Sequence, residues 1–165
     1  MQDTDMMQRD DSDEQTPYHI DESWFEENDF SFESFVQSRM CSECQARLGE
    51  EVEERYTVLN KKTGRATFDF RKVPYGSSPA AVIRDCCSKK KDYILPDMAT
   101  LEAVFRVYLA HGNQPMPLDH VREQLGDWCP GGGCQWLILP MASLERLVQN
   151  DRFYGIRPHL LPTAA

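Results

Sequence analysis

The hydrophobic and polar positions of this chain alternate in one region and then recur at helical spacing. Alternation over residues 52–59 predicts a β-strand, and residues 66–73 predict the strand that returns after the turn-forming segment NKKTG. A serine pair followed by Pro79 predicts the start of a helix, with Cys86 and Cys87 in its last turn. We therefore expect a β-hairpin followed directly by a helix.

Helical spacing dominates the second half of the chain. It is clearest in residues 99–113, while residues 115–125 and 141–150 predict a second and a third helix. LILP at 137–140 is consistent with a short strand, and FYGIRP at 153–158 predicts a terminal strand. The predicted core positions on these helices are Leu101, Val104, Phe105, Tyr108, Leu109, Val121, Leu125, Leu144, Leu147 and Val148. Separate runs of helices and strands favour the α+β class.

Acidic residues are concentrated at the N-terminus. Residues 1–37 hold twelve carboxylates and one Arg, a net charge of −11, whereas residues 38–165 hold 17 cations and 15 carboxylates, a net charge of +2. Residues 1 to about 17 are too polar to bury much surface, so we expect disorder there and a partly disordered segment over 1–37. From residue 24 aromatic residues alternate with carboxylates, which is typical of a partner-binding segment or of a short element packing in the chain's own core. The candidate partner-binding residues are Trp24, Phe25, Phe30 and Phe32.

The chain lacks the features of a membrane or secreted protein. No apolar run approaches the length of about 20 residues that crosses a bilayer, so we expect no membrane association. The opening has neither a basic start nor an apolar stretch, so a cytoplasmic, reducing location is the default expectation. The six cysteines then need an explanation other than disulfides.

Cys41 and Cys44 have the Cys-x-x-Cys spacing with which one tight turn presents two sulfurs to a zinc ion. Cys86 and Cys87 follow the predicted hairpin and would complete a structural zinc site. Adjacent side chains on a helix diverge by about 100°, so both can bind only if the helix has already ended there. If only one binds, the fourth ligand would come from His111, His120, Cys129 or Cys134. A metal-free or redox-active pair and unrelated buried thiols are the alternatives.

Cys129 and Cys134 enclose the segment PGGG. This spacing suits a second or shared metal site, a local disulfide or a plain flexible loop. The segment is not a phosphate-binding loop, since it lacks the Gly-Lys-Ser/Thr ending. The chain shows no Ser-His-Asp or Cys-His pattern, so we expect no catalysis and no small-molecule substrate.

Two parts of the chain resemble known small folds in the order of their elements. Within residues 38–95, a Cys-x-x-Cys turn, a hairpin and a second cysteine pair resemble a zinc ribbon whose second knuckle is replaced by a helix end. Within residues 96–158, three helices and a strand resemble a winged-helix domain with an insertion between its second and third helices. Residues 159–165 would be a tail, which leaves little chain for a second wing strand.

Three basic groups can meet phosphates if they share a face, although a solvated surface is the simpler alternative. They comprise Lys61, Lys62 and Arg65 at the hairpin tip, Arg71 and Lys72 on the return strand, and Lys89, Lys90 and Lys91 after the cysteine pair.

Together these features predict a non-enzymatic, zinc-binding accessory or regulatory protein of a transcription or other nucleic-acid machine. Its partners would be a protein complex and, through the basic groups, nucleic acid. One alternative is an interaction subunit whose winged helix binds no nucleic acid. Another is a thiol-disulfide redox protein that uses Cys41 and Cys44, although a hairpin follows this pair where a redox pair normally opens a helix.

Overall fold

Short helices and short strands alternate along residues 15–161, which the computed structural model describes. The helices are α1 (Glu22–Glu27), α2 (Phe32–Gln37), α3 (Ser42–Ala46), α4 (Pro79–Asp85), α5 (Thr100–Ala110), α6 (Leu118–Asp127) and α7 (Met141–Gln149), with a 3-10 turn at Cys87–Lys89. The strands are β1 (Pro17–Ile20), β2 (Glu51–Leu59), β3 (Ala66–Pro74), β4 (Met116–Pro117) and β5 (Ile156–Pro158). The predicted α+β class is confirmed. The disorder predicted for the N-terminus falls mainly on residues 1–14, which lie outside the described residues.

An N-terminal strand holds the larger sheet together. Its order is β4-β1-β5, and β1 pairs antiparallel with both neighbours. Tyr18 and Ile20 are buried, which anchors the strand in the core. The sequence analysis did not identify β1, because four residues are too few to establish a period. The predicted terminal strand β5 therefore finds its sheet partner at the opposite end of the chain.

The predicted hairpin is confirmed, and the helix after it ends earlier than predicted. β2 and β3 pair along their whole length, with Val52 opposite Val73 at the base. α4 begins after Ser78 and ends at Asp85, so the cysteine pair lies beyond the helix rather than in its last turn.

The strand considered for residues 137–140 is absent, and these residues lie in a turn. The backbone N–H groups of Leu137 and Ile138 both donate to the carbonyl of Cys134. Because this hydrogen bonding is local, the segment curls onto the preceding loop and pairs with no strand. The side chain of Leu137 is nevertheless fully buried, which accounts for the apolar run.

α5 forms the centre of the hydrophobic core. The predicted core positions on α5, α6 and α7 are buried, except that Leu101 and Leu147 are only half-buried. Val36 of α2 and Ile83 of α4 belong to the same buried cluster as α5. The core thus contains residues from both sides of Pro96, where the second of the two predicted modules begins. The division into modules 38–95 and 96–158 stays a prediction.

The aromatic residues predicted to bind a partner lie on or near this core. Phe25 is buried, and Trp24 and Phe32 are half-buried against the core cluster. Phe30 is 52% exposed and stacks on Trp24 with ring centres 6.1 Å apart. For Phe25 in particular, the structure agrees with the other interpretation of this segment, packing in the chain's own core.

A largely buried carboxylate joins the segment before Cys41 to α5. Glu102 accepts hydrogen bonds from Arg39 at 2.7 and 2.8 Å and from Arg106 at 3.0 Å. Burial raises the pKa of Glu102, but the hydrogen bonds and charge of Arg39 lower it more, so this pKa lies below its usual value. The guanidinium of Arg39 also lies 3.7 Å from the ring centre of Phe35.

The substitution Glu102→Gln should lower the free energy of unfolding at pH 7 by about 2 to 4 kcal/mol, because two guanidinium groups lose their carboxylate. The folded pKa of Glu102 is depressed, so its stabilisation is present above the unfolded pKa and is lost as the pH falls through the folded pKa. Urea denaturation should therefore show a difference between variant and wild type that shrinks as the pH is lowered toward 3. Equal stabilities at pH 7 would contradict this role of Glu102.

Candidate metal centre

Two short segments bring cysteine side chains together at one end of the fold. Cys41 is the N-cap of α3, and Cys44 lies within the same helix. Cys86 caps the end of α4. The sulfur atoms of these three residues all lie within 4.8 Å of one another. Cys44 and Cys86 are 42 positions apart in the chain, yet their sulfurs are separated by only 3.5 Å.

The backbone at the end of α4 makes this convergence possible. Cys86 has φ −125° and ψ −66°, outside the helical region, and Cys87 opens the 3-10 turn. Because the helix has ended, the two adjacent side chains are not held about 100° apart. The sequence analysis required the helix to end before Cys86 if Cys86 and Cys87 were both to bind a metal, and α4 does end there.

Cys87 lies on the buried side of the group. Its side chain is 1% exposed, and its Sγ accepts a hydrogen bond from the backbone N–H of Cys41 at 3.2 Å. Burial is the main cause that raises the pKa of the Cys87 thiol to about 12. Hydrogen bonds of this kind orient metal ligands in proteins. Cys87 thus adjoins the other three cysteines, although its Sγ is not one of the sulfurs that all lie within 4.8 Å of one another.

Tyr75 supplies a second hydrogen bond to the sulfur group. Its phenol donates to the Sγ of Cys44 at 3.2 Å, and this bond raises the pKa of Tyr75 to about 12. Burial raises the pKa of Cys44, but the hydrogen bonds from Tyr75 and the other cysteines lower it more, and the net shift is downward. The sequence analysis missed Tyr75. The only available signal was its position at the end of a hairpin that returns toward Cys41 and Cys44.

Basic side chains lie close to this group. Lys90 forms an ion pair with Glu43 of α3 at 2.7 Å. A cavity of about 200 Å³ touches Cys41 and Cys87, and Lys90 and Arg106 also line it. A cluster of thiolates around a divalent cation carries a net negative charge, which such neighbours stabilise. Within residues 15–161, the structure assembles no other comparable group of cysteine, histidine and acidic side chains.

The remaining candidate ligands lie outside this group. Cys129 and Cys134 are joined by a disulfide in the loop between α6 and α7, with Cα atoms 6.3 Å apart. A local disulfide was one of the options that their spacing left open, but the expectation that the six cysteines need an explanation other than disulfides is wrong for this pair. With their sulfurs bonded to each other, these two cysteines form no second or shared metal site here. His111 and His120 are exposed and take no part in the sulfur cluster.

The structure separates the predicted phosphate-binding residues into two groups. Lys61, Lys62 and Arg65 are exposed at the tip of the hairpin. Lys90 lies beside α3 near the hairpin base, and the nine-residue strands place the tip roughly 30 Å away. The three-lysine run 89–91 is therefore separated from the tip by the length of the β2–β3 hairpin, which we call the arm.

Comparison with protein-family models, with curated proteins and with solved structures found no match. No helix among residues 15–161 has the length and apolar character needed to span a bilayer. What this chain does is therefore argued from its own geometry.

Thiol titration of the denatured, metal-free protein should find four reactive thiols before reduction and six after it, because four cysteines are free and two are bonded. The variant Cys129→Ser/Cys134→Ser should give four thiols under both conditions. Six thiols without reduction would contradict the disulfide, and two would show that the cysteines of α3 and α4 also pair.

Proposed function

We propose that Cys41, Cys44, Cys86 and Cys87 bind a structural zinc ion, and that the chain is a non-enzymatic accessory protein of a nucleic-acid machine. The observation that carries the proposal is the convergence of two cysteine pairs from distant parts of the chain. Two hydrogen bonds, from a backbone N–H and from a phenol, already point at the sulfurs.

An all-sulfur donor set favours zinc over the hard cations. Calcium and magnesium take oxygen ligands, whereas thiolates suit zinc, which binds four of them tetrahedrally. With Zn–S bonds of about 2.3 Å, tetrahedral sulfurs lie about 3.8 Å apart. The sulfurs of Cys44 and Cys86 are 3.5 Å apart, and those of the three grouped cysteines lie within 4.8 Å. Small side-chain rotations would therefore suffice for these three cysteines, and Cys87 would complete the site by turning its Sγ toward them.

Four protein ligands make this a structural role. A catalytic zinc keeps one position open for water or substrate, and four cysteines leave none. α3 has five residues and α4 has seven, which is too short for either helix to be stable alone. A zinc ion bound to both would hold them together, and Tyr75 would tie the hairpin base to the same point.

Two observations support a place in a nucleic-acid machine. The hairpin tip carries three exposed cations, as a phosphate-binding surface requires. The order of α5, α6, α7 and β5 is also the one that resembles a winged-helix domain. A reducing compartment such as the cytoplasm would keep the four ligand thiols available to the metal, and the same conditions would favour the reduced form of the Cys129–Cys134 pair.

Native mass spectrometry of the full-length chain should detect one zinc ion per molecule. Removing the zinc with a chelator should lower the melting temperature, since metal binding contributes directly to the folding free energy. Cys44→Ser should lose zinc and melt at a lower temperature. The matched control Cys129→Ser/Cys134→Ser should keep its zinc.

A metal-free wild-type chain whose melting temperature is unaffected by added zinc or chelator would overturn the proposal. Far-UV circular dichroism of each variant shows whether lost zinc reflects the missing ligand or general unfolding. Cys87→Ser tests whether Cys87 is a zinc ligand or only a neighbouring residue. If it is a ligand, its removal should weaken zinc binding at least 10-fold.

A further inference from the structure

The β2–β3 hairpin exposes much more surface than a strand pair needs for its own folding. Both strands have nine residues, and every residue of β3 except the half-buried Val73 is exposed. Two-stranded hairpins are only marginally stable in water, and they gain stability by packing a face against other elements. Every residue of the distal half of this arm, from residue 57 to residue 68, is exposed, so its side chains are available to a partner.

One face of the arm is aromatic. Directly paired residues of an antiparallel ladder point to the same side, and successive pairs alternate. The pairs Leu59 with Ala66, Thr57 with Phe68 and Arg55 with Phe70 therefore share one face. Leu59, Phe68 and Phe70 are 64%, 59% and 62% exposed. We call the surface formed by these three residues and Arg55 the aromatic face.

The charges around the distal half of the aromatic face are mostly positive, whereas the next pair on the same side toward the base, Glu53 with Lys72, carries one charge of each sign. Between residues 55 and 70 the hairpin carries four cations, Arg55, Lys61, Lys62 and Arg65, against the single carboxylate of Asp69. Asp69 pairs with Tyr56 and so points to the opposite face. The guanidinium of Arg55 lies 4.0 Å from the ring centre of Phe68. A ligand on this face would meet exposed rings bordered by cations.

We propose that the aromatic face binds single-stranded nucleic acid, with bases stacked on Phe68 and Phe70 and phosphates near the basic tip. Aromatic side chains in a cationic setting are the usual means of binding single strands without sequence preference. This inference rests on the proposed role in a nucleic-acid machine, and it is independent of the zinc site.

The spacing of the two rings fits an extended strand. Phe68 and Phe70 are two positions apart in β3, or about 6.6 Å along the strand. This is about twice the 3.4 Å separation of stacked bases, so each ring can take one base of an extended chain. In a duplex the base faces are already stacked on one another, which favours single strands over duplexes.

A second protein chain fits this face less well. Stable protein interfaces bury about 1,200 to 2,000 Å² in total and have an apolar centre. Three apolar side chains on a flat ladder fall well short of this area. Two copies of the face would also bring Arg55 and the basic tips together, and like charges oppose that contact.

The experiment measures binding of the full-length protein to a labelled 12-nucleotide single strand and to its duplex, by fluorescence anisotropy at low salt. We expect tighter binding to the single strand. Phe68→Ala/Phe70→Ala should weaken it at least 10-fold, since stacking on two rings is lost. Phe68→Leu/Phe70→Leu should weaken it similarly, because leucine keeps an apolar side chain and removes the ring.

Trp136→Ala is the control, since this aromatic residue is 80% exposed outside the hairpin and its loss should leave the affinity unchanged. Zinc content and melting temperature, measured on the same samples, should match the wild type for every variant. Any one of three results would overturn the inference: no binding by the wild type at low salt, unchanged affinity in the double alanine variant, or a preference for the duplex.

Sedimentation of the same proteins tests whether a second copy of the chain, rather than nucleic acid, binds the aromatic face. A wild-type dimer that the double alanine variant abolishes would assign the aromatic face to a protein interface and also overturn the inference. Because zinc is measured separately, failure of strand binding with one zinc still bound leaves the metal proposal standing. If a wild type that retains no zinc still binds the single strand, the inference about the aromatic face stands and the metal proposal fails.

Discussion

Four thiols held this close together cannot all ionise unless a cation lies among them. The hydrogen bond with Cys44 raises the pKa of Cys86, and burial raises that of Cys87, so both of these thiols favour the protonated form when no metal is bound. A zinc ion removes this conflict by neutralising the thiolates that bind it. The neighbouring hydrogen bonds from Tyr75 and from the backbone of Cys41 then act on charged sulfurs, where they are strongest.

Several parts of the fold meet near the cysteine group, although the hydrophobic core is centred on α5. The hairpin leaves the chain between the two cysteine pairs, so a metal bound to both would anchor the base of the arm. Arg39, immediately before this region, joins it to α5 through Glu102. The helices α3 and α4 are too short to be stable by themselves. Ile83 packs α4 into the core, and a metal bound to the cysteines would join the two helices to each other.

Local patterns predicted the regular elements well. The alternation before Leu59 and the turn at Gly64 were sufficient to place the hairpin, and Gly64 indeed has a φ of +69°. The periodic helix α5 and most of its buried face were also predicted. The spacing of Cys41 and Cys44 identified half of the candidate site, because one turn of chain determines that geometry.

Features that depend on distant contacts could not be predicted in this way. β1 is defined by its pairing with β4 and β5 and not by its own four residues. Both partner strands are distant in the chain, since Tyr18 pairs with Met116 and Ile20 pairs with Ile156. Tyr75 reaches Cys44 only because the hairpin returns to its starting point. The aromatic segment before residue 37 was open to two interpretations, since its composition suits both a partner and a core. Burial of Phe25 is a property of the assembled fold.

The most direct test of this account is X-ray absorption at the zinc edge on the purified full-length protein. The account predicts four sulfur neighbours at about 2.3 Å and no nitrogen or oxygen ligand. A first shell containing nitrogen or oxygen, or a protein that retains no zinc, would contradict the assignment of the four cysteines as its ligands.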